Sequence, residues 1–479
     1  MFNFEAAYSK LHKHLHFIYL LYAIPLVCLT ATITPPLQNP DEPNHFLRAE
    51  QVSRLDMVPT FVYDKSAVST KNDSLSADPR IIYPDKGGFA IDKGILDLEG
   101  LYSAIQFHPE AKVRRDLTKR ANDIKWGFGT GYKNFGNTAI YPPVVYIMPA
   151  IGIAAGKLLH LSIVKTLYLS RILNGALSVA ICFFALMLAR RGNILMFIVL
   201  LFPMTIALFA SVSQDAILIA CVFLLVAAID NVEFRDDKIY RRWHIYTMVI
   251  AMCIIGIAKP PYIPLAFIFL LLKLSPRAKA AGIILPLLSI AAWLIINHAN
   301  FAIKFAPPEL RTNAKLQVQY IIHHPFNFIG LFFKFDLPGL TACLHSFIGI
   351  LGWLDLTFPT DYYHTAYVIV FAGIIIGISP AWKENIRLKT GLLICAFITI
   401  IAILTAQYVT WTALEATSLG GMQGRYLLPV APFLALALSG KVTRDKFTRL
   451  KSALFMAILL FPIYSSIEVV HGLFKRYYG

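Results

Sequence analysis

Long apolar segments separated by short polar connectors make up most of the chain. The first segment covers residues 15–34, and a long polar stretch separates it from the others. Most segments approach the about 20 apolar residues that a helix needs to cross a bilayer. The pattern therefore predicts an all-α polytopic membrane protein. The later segments are residues 166–189, 193–212, 214–231, 243–258, 261–274, 280–297, 362–380, 389–410, 425–440 and 452–470.

The polar connectors predict the orientation of the chain. Short cytoplasmic loops of membrane proteins carry an excess of lysine and arginine. If the basic connectors are cytoplasmic, the spans alternate consistently only when the ambiguous segment 141–160 does not cross the bilayer. The sequence then predicts eleven transmembrane helices, within a range of 11–13, and a cytoplasmic N-terminus. The basic connectors are residues 1–14, 190–191, 231–242, 273–279, 383–389 and 441–451.

This topology divides the chain into four regions. Residues 1–34 are the predicted cytoplasmic N-terminus and first transmembrane helix, and residues 35–140 are a predicted large extracytoplasmic loop with short helices. Residues 141–165 are expected to lie in the outer interface or to re-enter the membrane, and residues 166–479 to form the multi-span domain.

Composition limits the classes of function. The chain is 57% hydrophobic and 15% charged, with a mean hydropathy of +0.60, which excludes a disordered chain, a coiled coil and a soluble multidomain enzyme. A formal net charge of +16 on a soluble protein would suggest nucleic acid. Here the basic connectors account for most of that charge, so we expect the lipid bilayer and no nucleic acid as a partner. The six cysteines show no spacing typical of a disulfide framework or a metal site.

The candidate chemistry falls at one predicted edge of the membrane, the extracytoplasmic one. Ionisable residues at membrane depth are costly and usually mark function. A one-sided cluster therefore indicates a site at the outer leaflet rather than a path through the bilayer. The candidates are Asp41, Glu42, His45, Arg48, Arg171, Asp215, Lys259, Tyr262, Arg425 and Tyr426.

Each part of this cluster also has a simpler interpretation. The adjacent carboxylates Asp41 and Glu42 can cap the helix that follows them. Arg171, Lys259 and Arg425 can extend their charged groups to the interface, although three cations near helix ends equally suit a phosphate. The two tyrosines are also typical of an interfacial aromatic belt.

Several short motifs follow one another along the chain. They are P-D-E-P-N-H-F-L-R-A (40–49), Y-P-P-V-V-Y (141–146), L-S-R-I-L-N (169–174), P-x7-S-x-S-Q-D (203–215), K-P-P-Y-I-P (259–264), G-W-L-D-x3-P (352–359) and Q-G-R-Y-L-L-P (423–429). As a set they resemble a bacterial family of polytopic membrane proteins of unknown function that is grouped with the GT-C glycosyltransferases. The resemblance runs from about residue 35 to about residue 435.

This resemblance implies a GT-C-like fold in the bacterial inner membrane, with an active site that faces the periplasm. GT-C enzymes use an acidic residue in the first extracytoplasmic loop and take sugars from polyprenyl-phosphate or polyprenyl-diphosphate carriers. The resemblance thus implies a glycosyltransferase that moves a hexose or pentose from a polyprenyl-phosphate donor to a cell-envelope acceptor. Lipopolysaccharide, a teichoic-type polymer and a glycoprotein are all compatible products. Asp41, with Glu42 as its neighbour, corresponds to the acidic motif.

The roles of the candidates follow as a hypothesis. Asp41 or Glu42 accepts the proton of the acceptor hydroxyl, and a single displacement inverts the anomeric carbon. The other candidates bind the phosphate and the sugar of the donor. No cofactor is required by the spacing, although Asp41, Glu42 and Asp215 could share a divalent metal such as Mg or Mn.

Three other classes compete with this hypothesis. A flippase or transporter for a lipid-linked glycan predicts charges through the whole bilayer depth and repeated halves, and the sequence shows neither. An O-antigen ligase or polymerase handles similar substrates, and only the order of the motifs argues against it. A non-catalytic envelope scaffold would use the carboxylates as helix caps.

Overall fold

A computed structural model of the chain is mostly helical. It describes residues 10–64, 80, 82–127, 129–234, 238–334, 337–378, 385–420, 422–440 and 448–479. In chain order its α-helices are α1 (Leu15–Ile33), α2 (Glu42–Ser53), α3 (Lys93–Tyr102), α4 (Arg115–Asp123), α5 (Gly136–Ala139), α6 (Ile147–Leu158), α7 (Ile163–Leu188), α8 (Asn193–Leu200), α9 (Pro203–Phe209), α10 (Gln214–Phe234), α11 (Lys238–Ala258), α12 (Pro276–Ile296), α13 (His298–Phe301), α14 (Ala314–His323), α15 (Pro325–Leu331), α16 (Leu337–Gly349), α17 (Thr360–Gly377), α18 (Ile386–Trp411), α19 (Ala431–Leu438) and α20 (Thr448–Tyr477).

Among the described residues, 6 helices are long and apolar enough to cross a membrane: α1, α7, α10, α12, α18 and α20. They coincide with six of the predicted spans. Helix α10 is buried along nearly its whole length, whereas α12 is exposed along most of its length. Helix α10 therefore lies at the centre of the helical body, and α12 lies on its surface.

Of the other five predicted spans, two form the continuous helices α11 and α17, and three form interrupted or partly 3-10 elements. The apolar stretch 193–212 is split into α8 and α9, because Pro203 lacks the N–H that a continuous helix would need and instead begins a new helix. The stretch 261–274 forms a 3-10 helix, Pro260–Leu270, with Pro264 inside it. The stretch 425–440 begins as a 3-10 helix, Gly424–Leu427, and continues as α19. The count of eleven spans stays a prediction.

Loop 35–140 contains a small sheet that the all-α prediction does not include. Strands β1 (Phe61–Tyr63), β2 (Gly87–Asp92) and β3 (Thr130–Lys133) form an antiparallel sheet in the order β1-β2-β3. Phe89 and Ile91 of β2 are buried on one face. Helical periodicity does not reveal strands of three to six residues, so the fold is helical with a small sheet in loop 35–140 rather than all-α.

The ambiguous segment 141–160 forms the 3-10 helix Pro143–Tyr146 followed by α6. The 12 residues of α6 span about 18 Å, which is less than the about 30 Å of a bilayer core. The far end of α6 returns to the loop, because the Lys157 ammonium contacts the Glu50 carboxylate of α2 at 2.7 Å. The segment therefore lies beside the loop at both of its ends.

Hydrogen bonds define two ends of the helical body. At the first, which we call the site end, the side-chain amide of Asn174 in α7 donates to the carbonyls of Ser211 and Ser213 just before α10. The indole of Trp293 in α12 donates to the carbonyl of Ile140 at 2.7 Å. The last turn of α20 reaches the same end, where the phenol of Tyr478 donates to the carbonyl of Ile33.

The opposite end, which we call the basic end, is held by acidic side chains of α10. The backbone N–H groups of Arg190 and Arg191 donate to the Asp230 carboxylate. The Glu233 carboxylate accepts from the backbone N–H of Lys273 and from the side-chain amide of Asn385. The described parts of four basic connectors, 190–191, 231–242, 273–279 and 383–389, thus meet at this end.

One buried ion pair joins the loop to the helical body at the site end. Both oxygens of Glu42 accept from the Arg171 guanidinium, at 2.8 and 2.5 Å, and both side chains are fully buried. The same guanidinium donates to the carbonyls of Ala31, Thr34 and Pro35. All five N–H donors of the guanidinium are therefore used. The pair fixes where α1 ends, where α2 begins and how both sit on α7.

We predict that Glu42→Gln destabilises the protein by about 3 kcal/mol, because an uncompensated buried Arg171 remains. The measurement is thermal unfolding in detergent. Glu99→Gln, which breaks the half-exposed pair of Glu99 with Lys133, is the matched control and should cost less than about 1 kcal/mol. Equal losses in the two variants would contradict an anchoring role for Glu42.

Candidate functional site

A cavity of about 300 Å³ opens at the site end. Five segments that are far apart in sequence contribute to it: the start of α2, the residues around Tyr141, the start of α10, the residues around Lys259 and the segment at Arg425. The last turns of α18 form an additional wall. The residues that line the cavity are Asp41, His45, Asn137, Thr138, Ile140, Tyr141, Gln214, Asp215, Ala258, Lys259, Pro260, Pro261, Tyr262, Phe305, Ile403, Ala406, Gln407, Thr410, Trp411, Arg425 and Tyr426.

Asp41 stands at the N-terminus of α2 with its backbone in the left-handed region, at φ 60. Its side chain makes no capping hydrogen bond to the helix. Instead, one carboxylate oxygen accepts from the Arg425 guanidinium at 2.8 Å. The Asp41 side chain is 42% exposed, and its other oxygen has no hydrogen bond among the described residues. Capping is therefore not the role of this carboxylate, and the backbone strain directs it into the cavity.

Arg425 is held in a buried position by its neighbour Gly424. A Cβ at Gly424 would lie 2.1 Å from the carbonyl oxygen of Cys343, so only glycine lets this segment approach α16 so closely. The Gly424 N–H donates to the Ser346 hydroxyl at 2.6 Å. The Arg425 side chain is 5% exposed, and its Nε is buried without a hydrogen-bond partner. A buried donor without a partner is costly, which favours a ligand that accepts from it.

A second ion pair lies in the same cavity. The Lys259 ammonium contacts the Asp215 carboxylate at 2.6 Å, and both side chains are largely buried. The ring of Tyr426 lies near both cations, 4.7 Å from the Lys259 ammonium and 5.2 Å from the Arg425 guanidinium. The Tyr262 hydroxyl donates to the Tyr426 carbonyl at 2.7 Å and holds this arrangement in place.

His45 is neutral in this environment. Burial lowers the pKa of His45 to about 4. The negative charges of Asp41 and Asp215 act to raise this pKa, whereas the positive charges of Arg425 and Lys259 lower it further. Its Nδ1 is hydrogen-bonded to the Tyr146 hydroxyl at 2.6 Å. Burial raises the pKa of Tyr146, so the phenol keeps its proton.

Asp41 is ionised at neutral pH. Burial alone would raise the pKa of its carboxyl, but the charge of Arg425 and the hydrogen bond from its guanidinium outweigh burial, so the pKa lies below its ordinary value. The carboxylate can therefore accept a proton, and its free oxygen faces the cavity.

Seven of the ten candidate residues line the cavity: Asp41, His45, Asp215, Lys259, Tyr262, Arg425 and Tyr426. Glu42, Arg48 and Arg171 do not line it. The Arg48 guanidinium is buried and donates to the carbonyls of Tyr141, Asp56 and Met57, so it fixes the backbone around the site. Sequence adjacency suggested a common role for Asp41 and Glu42, but the structure uses Glu42 in the buried pair with Arg171.

Polar residues that the sequence analysis did not select also line the cavity. Asn137 and Thr138 come from the loop, and Gln407, Thr410 and Trp411 come from the last turns of α18. Gln407 and Thr410 were detectable as polar residues at the outer end of a predicted span. Nothing in the pattern around Asn137 and Thr138 marks them.

Of the three suggested metal ligands, Asp41 and Asp215 line the cavity and Glu42 does not. Glu42 uses both carboxylate oxygens on Arg171, while Asp41 and Asp215 are each paired with a cation. Within the residues that the structure describes, no group of three or more histidine, cysteine or acidic side chains could hold a metal ion. The metal therefore stays a prediction, and none of the steps below uses it.

The cavity combines three kinds of chemistry. It holds an ionised carboxylate with a free oxygen, two buried cations beside an aromatic ring, and a set of neutral polar and aromatic side chains. Such a site can bind an anionic group, hold a neutral polar group and accept a proton.

Comparison with known proteins identifies a family for this chain. The model of the family described as "Predicted membrane protein (DUF2142)" matches residues 25–434. No curated protein and no solved structure matches the chain.

We predict that wild-type protein loses about 2 kcal/mol of stability between pH 7 and pH 5 through His45. The unfolded chain binds a proton there near pH 6.5 and the folded chain only near pH 4, so acid favours the unfolded state in this window. Unfolding curves at both pH values should show a correspondingly smaller loss in His45→Gln. His298→Gln, which changes an exposed histidine outside the cavity, should keep the wild-type pH dependence.

Proposed function

The chain belongs to this family of predicted membrane proteins, and we propose that it is a glycosyltransferase that takes a sugar from a polyprenyl-phosphate donor. The acceptor would be an extracytoplasmic glycan or lipid of the cell envelope. One observation carries the proposal. An ionised carboxylate with a free oxygen lies 2.8 Å from a buried guanidinium that has an unpartnered donor, within a single cavity.

The proposed topology has eleven crossings, with the cavity on the periplasmic side of the bacterial inner membrane. Contacts at the two ends of the helical body support it, because consecutive apolar segments alternate between the site end and the basic end. Both α1 and α20 end at the site end, where Tyr478 contacts Ile33. If both helices cross the bilayer, the number of crossings between them is odd, as a total of eleven requires. An excess of lysine and arginine at the basic end favours the cytoplasm for that side.

The two cations favour a donor that carries a phosphate. Guanidinium and ammonium groups form their strongest hydrogen bonds with phosphate oxygens, and in a dry site these contacts gain strength. Arg425 offers its unpartnered Nε, and Lys259 offers its ammonium beside the Tyr426 ring. The apolar wall from α18, with Ile403 and Ala406, would accommodate the first units of a prenyl chain. A lipid-linked donor satisfies both features at once.

The neutral part of the cavity favours an uncharged sugar. Gln214, Asn137, Gln407 and Thr410 supply amide and hydroxyl groups, and Gln214 Oε1 is a buried acceptor without a partner. Trp411 adds an aromatic face for the sugar ring. Carboxylate-bearing sugars would gain no dedicated cation here, because both cations are expected on the phosphate.

The reaction is a single displacement. The oxygen of the acceptor hydroxyl forms a bond with the anomeric carbon, and the bond between that carbon and the donor phosphate oxygen breaks. The electron pair leaves with the polyprenyl phosphate, whose growing charge Arg425 and Lys259 stabilise. The free oxygen of Asp41 accepts the hydroxyl proton and later passes it to water. Attack from the face opposite the phosphate inverts the anomeric carbon.

We predict that Asp41→Asn lowers the rate of sugar transfer about 10²- to 10⁴-fold, because the proton acceptor is lost while the shape is kept. The assay measures transfer from a panel of synthetic polyprenyl-phosphate sugars in liposomes. The matched control is Asp116→Asn, which changes the exposed partner of Arg114 in the same loop. Full activity of Asp41→Asn would overturn the base assignment, and a wild-type protein inactive with every lipid-linked donor would overturn the transferase proposal.

We predict that Arg425→Gln weakens inhibition by free polyprenyl phosphate about tenfold or more, because a charge-assisted hydrogen bond to the phosphate is lost. Inhibition constants and the KM for the donor check this expectation, and both should rise together. The matched control is Arg114→Gln, which changes an exposed guanidinium outside the cavity. An unchanged inhibition constant would show that Arg425 does not contact the phosphate.

A further inference from the structure

A second cavity, of about 550 Å³, lies at the basic end between α11 and α12. It is separate in sequence and in position from the site described above. Its lining residues are Arg242, Ile245, Tyr246, Val249, Ile250, Ser275, Arg277, Ala278, Ala281 and Leu285. We refer to it as the α11–α12 groove. The groove has two arginines at one end and apolar side chains along the rest.

The described residues give the two groove arginines no partner. Arg242 and Arg277 are exposed, and neither makes an ion pair or a hydrogen bond within the described ranges. By contrast, the described lysines beside them are engaged: Lys273 contacts Glu233, and Lys279 donates to the Leu270 carbonyl. Two unpaired guanidinium groups that line one groove give it a local excess of positive charge. Such groups match phosphate oxygens by paired hydrogen bonds.

The start of α12 adds to this potential. Ser275 caps the helix through its hydroxyl, which accepts from the Ala278 N–H at 3.3 Å. The N-terminus of a 21-residue helix carries a partial positive charge, and here it faces the same groove. The helix end alone would not define a site, but it reinforces the two arginines.

The side chains around the α11–α12 groove indicate that it lies at the membrane interface. Trp243 is 73% exposed and Tyr246 is 59% exposed, next to Arg242 on α11. Tryptophan and tyrosine with apolar bodies and polar tips are typical of the headgroup level of a bilayer. Beyond them, Ile250 and Leu285 continue an exposed apolar surface toward the middle of the two helices. Charge, aromatic belt and apolar surface thus follow one another along the groove.

We propose that the α11–α12 groove binds an anionic glycerophospholipid of the leaflet at the basic end. The phosphate lies between Arg242 and Arg277, the polar headgroup lies near Ser275, and an acyl chain follows Ile250 and Leu285. Charge complementarity selects an anionic lipid over a zwitterionic one, because none of the described residues that line the groove carries a carboxylate. Binding there would hold α11 and α12 at a fixed depth without any contact with the sugar-transfer site.

The test is native mass spectrometry of the full chain released from nanodiscs. Phosphatidylglycerol and phosphatidylcholine with identical acyl chains compete for retention. We expect the wild-type protein to retain phosphatidylglycerol preferentially. Arg242→Gln and Arg277→Gln should each weaken that preference about fivefold, and the double variant about 25-fold. Excess inorganic phosphate should not displace the lipid, since the acyl chain contributes to binding.

Two further variants distinguish lipid binding in the α11–α12 groove from diffuse electrostatic attraction of anionic lipids to the basic end. Arg387→Gln changes an exposed arginine at the same end but outside the groove, and it should leave the preference unchanged. Ala281→Trp fills the groove and keeps both charges, so it should abolish the preference. Retention that Ala281→Trp leaves intact, or that Arg387→Gln reduces as much as the groove variants, would overturn the proposal. Circular dichroism at 222 nm checks that each variant keeps its helices.

Discussion

The buried ion pair between Glu42 and Arg171 is the constraint on which the site depends. It lies at the junction of α1, α2 and α7, and it uses every N–H donor of the guanidinium. One Glu42 oxygen also accepts from the backbone N–H of Val212, which leads into α10. A buried pair of this kind is stabilising only when all its hydrogen bonds are made, so it tolerates little displacement of the surrounding elements. The start of α2, and with it Asp41, is therefore fixed relative to the helices that carry the rest of the cavity.

Two neighbouring carboxylates thus have opposite environments. Glu42 is fully buried with saturated oxygens, whereas Asp41 is partly exposed and keeps one oxygen free. The difference arises at one residue, because the left-handed backbone of Asp41 turns its side chain away from the direction of the helix. Strain of this kind is kept where the surrounding structure determines the conformation, and it recurs at functional positions. A rigid carboxylate beside one that can react is the arrangement that our proposed mechanism uses.

The molecule has two chemically different ends. At the site end, cations are buried and paired with carboxylates inside a cavity, so their charge is available only to a ligand that enters. At the basic end, arginines such as Arg242 and Arg277 are exposed, while acidic residues of α10 hold the connector backbones in place. The same residue types therefore have different roles, because burial sets the strength of an electrostatic interaction. The substrate site and the lipid site that we propose both rest on this asymmetry.

The sequence alone determined the helical membrane class, the positions of the long apolar segments, the basic connectors and the set of candidate residues at one edge. These features depend on local composition and periodicity, which a linear pattern contains. It did not reveal the small sheet, the break at Pro203 within an apolar run, or Asn137 and Thr138 in the cavity. Only the tertiary structure decided which carboxylate is free. Glu42 meets a partner 129 positions away and Asp41 meets one 384 positions away, and side-chain direction at such distances is set by packing rather than by sequence adjacency.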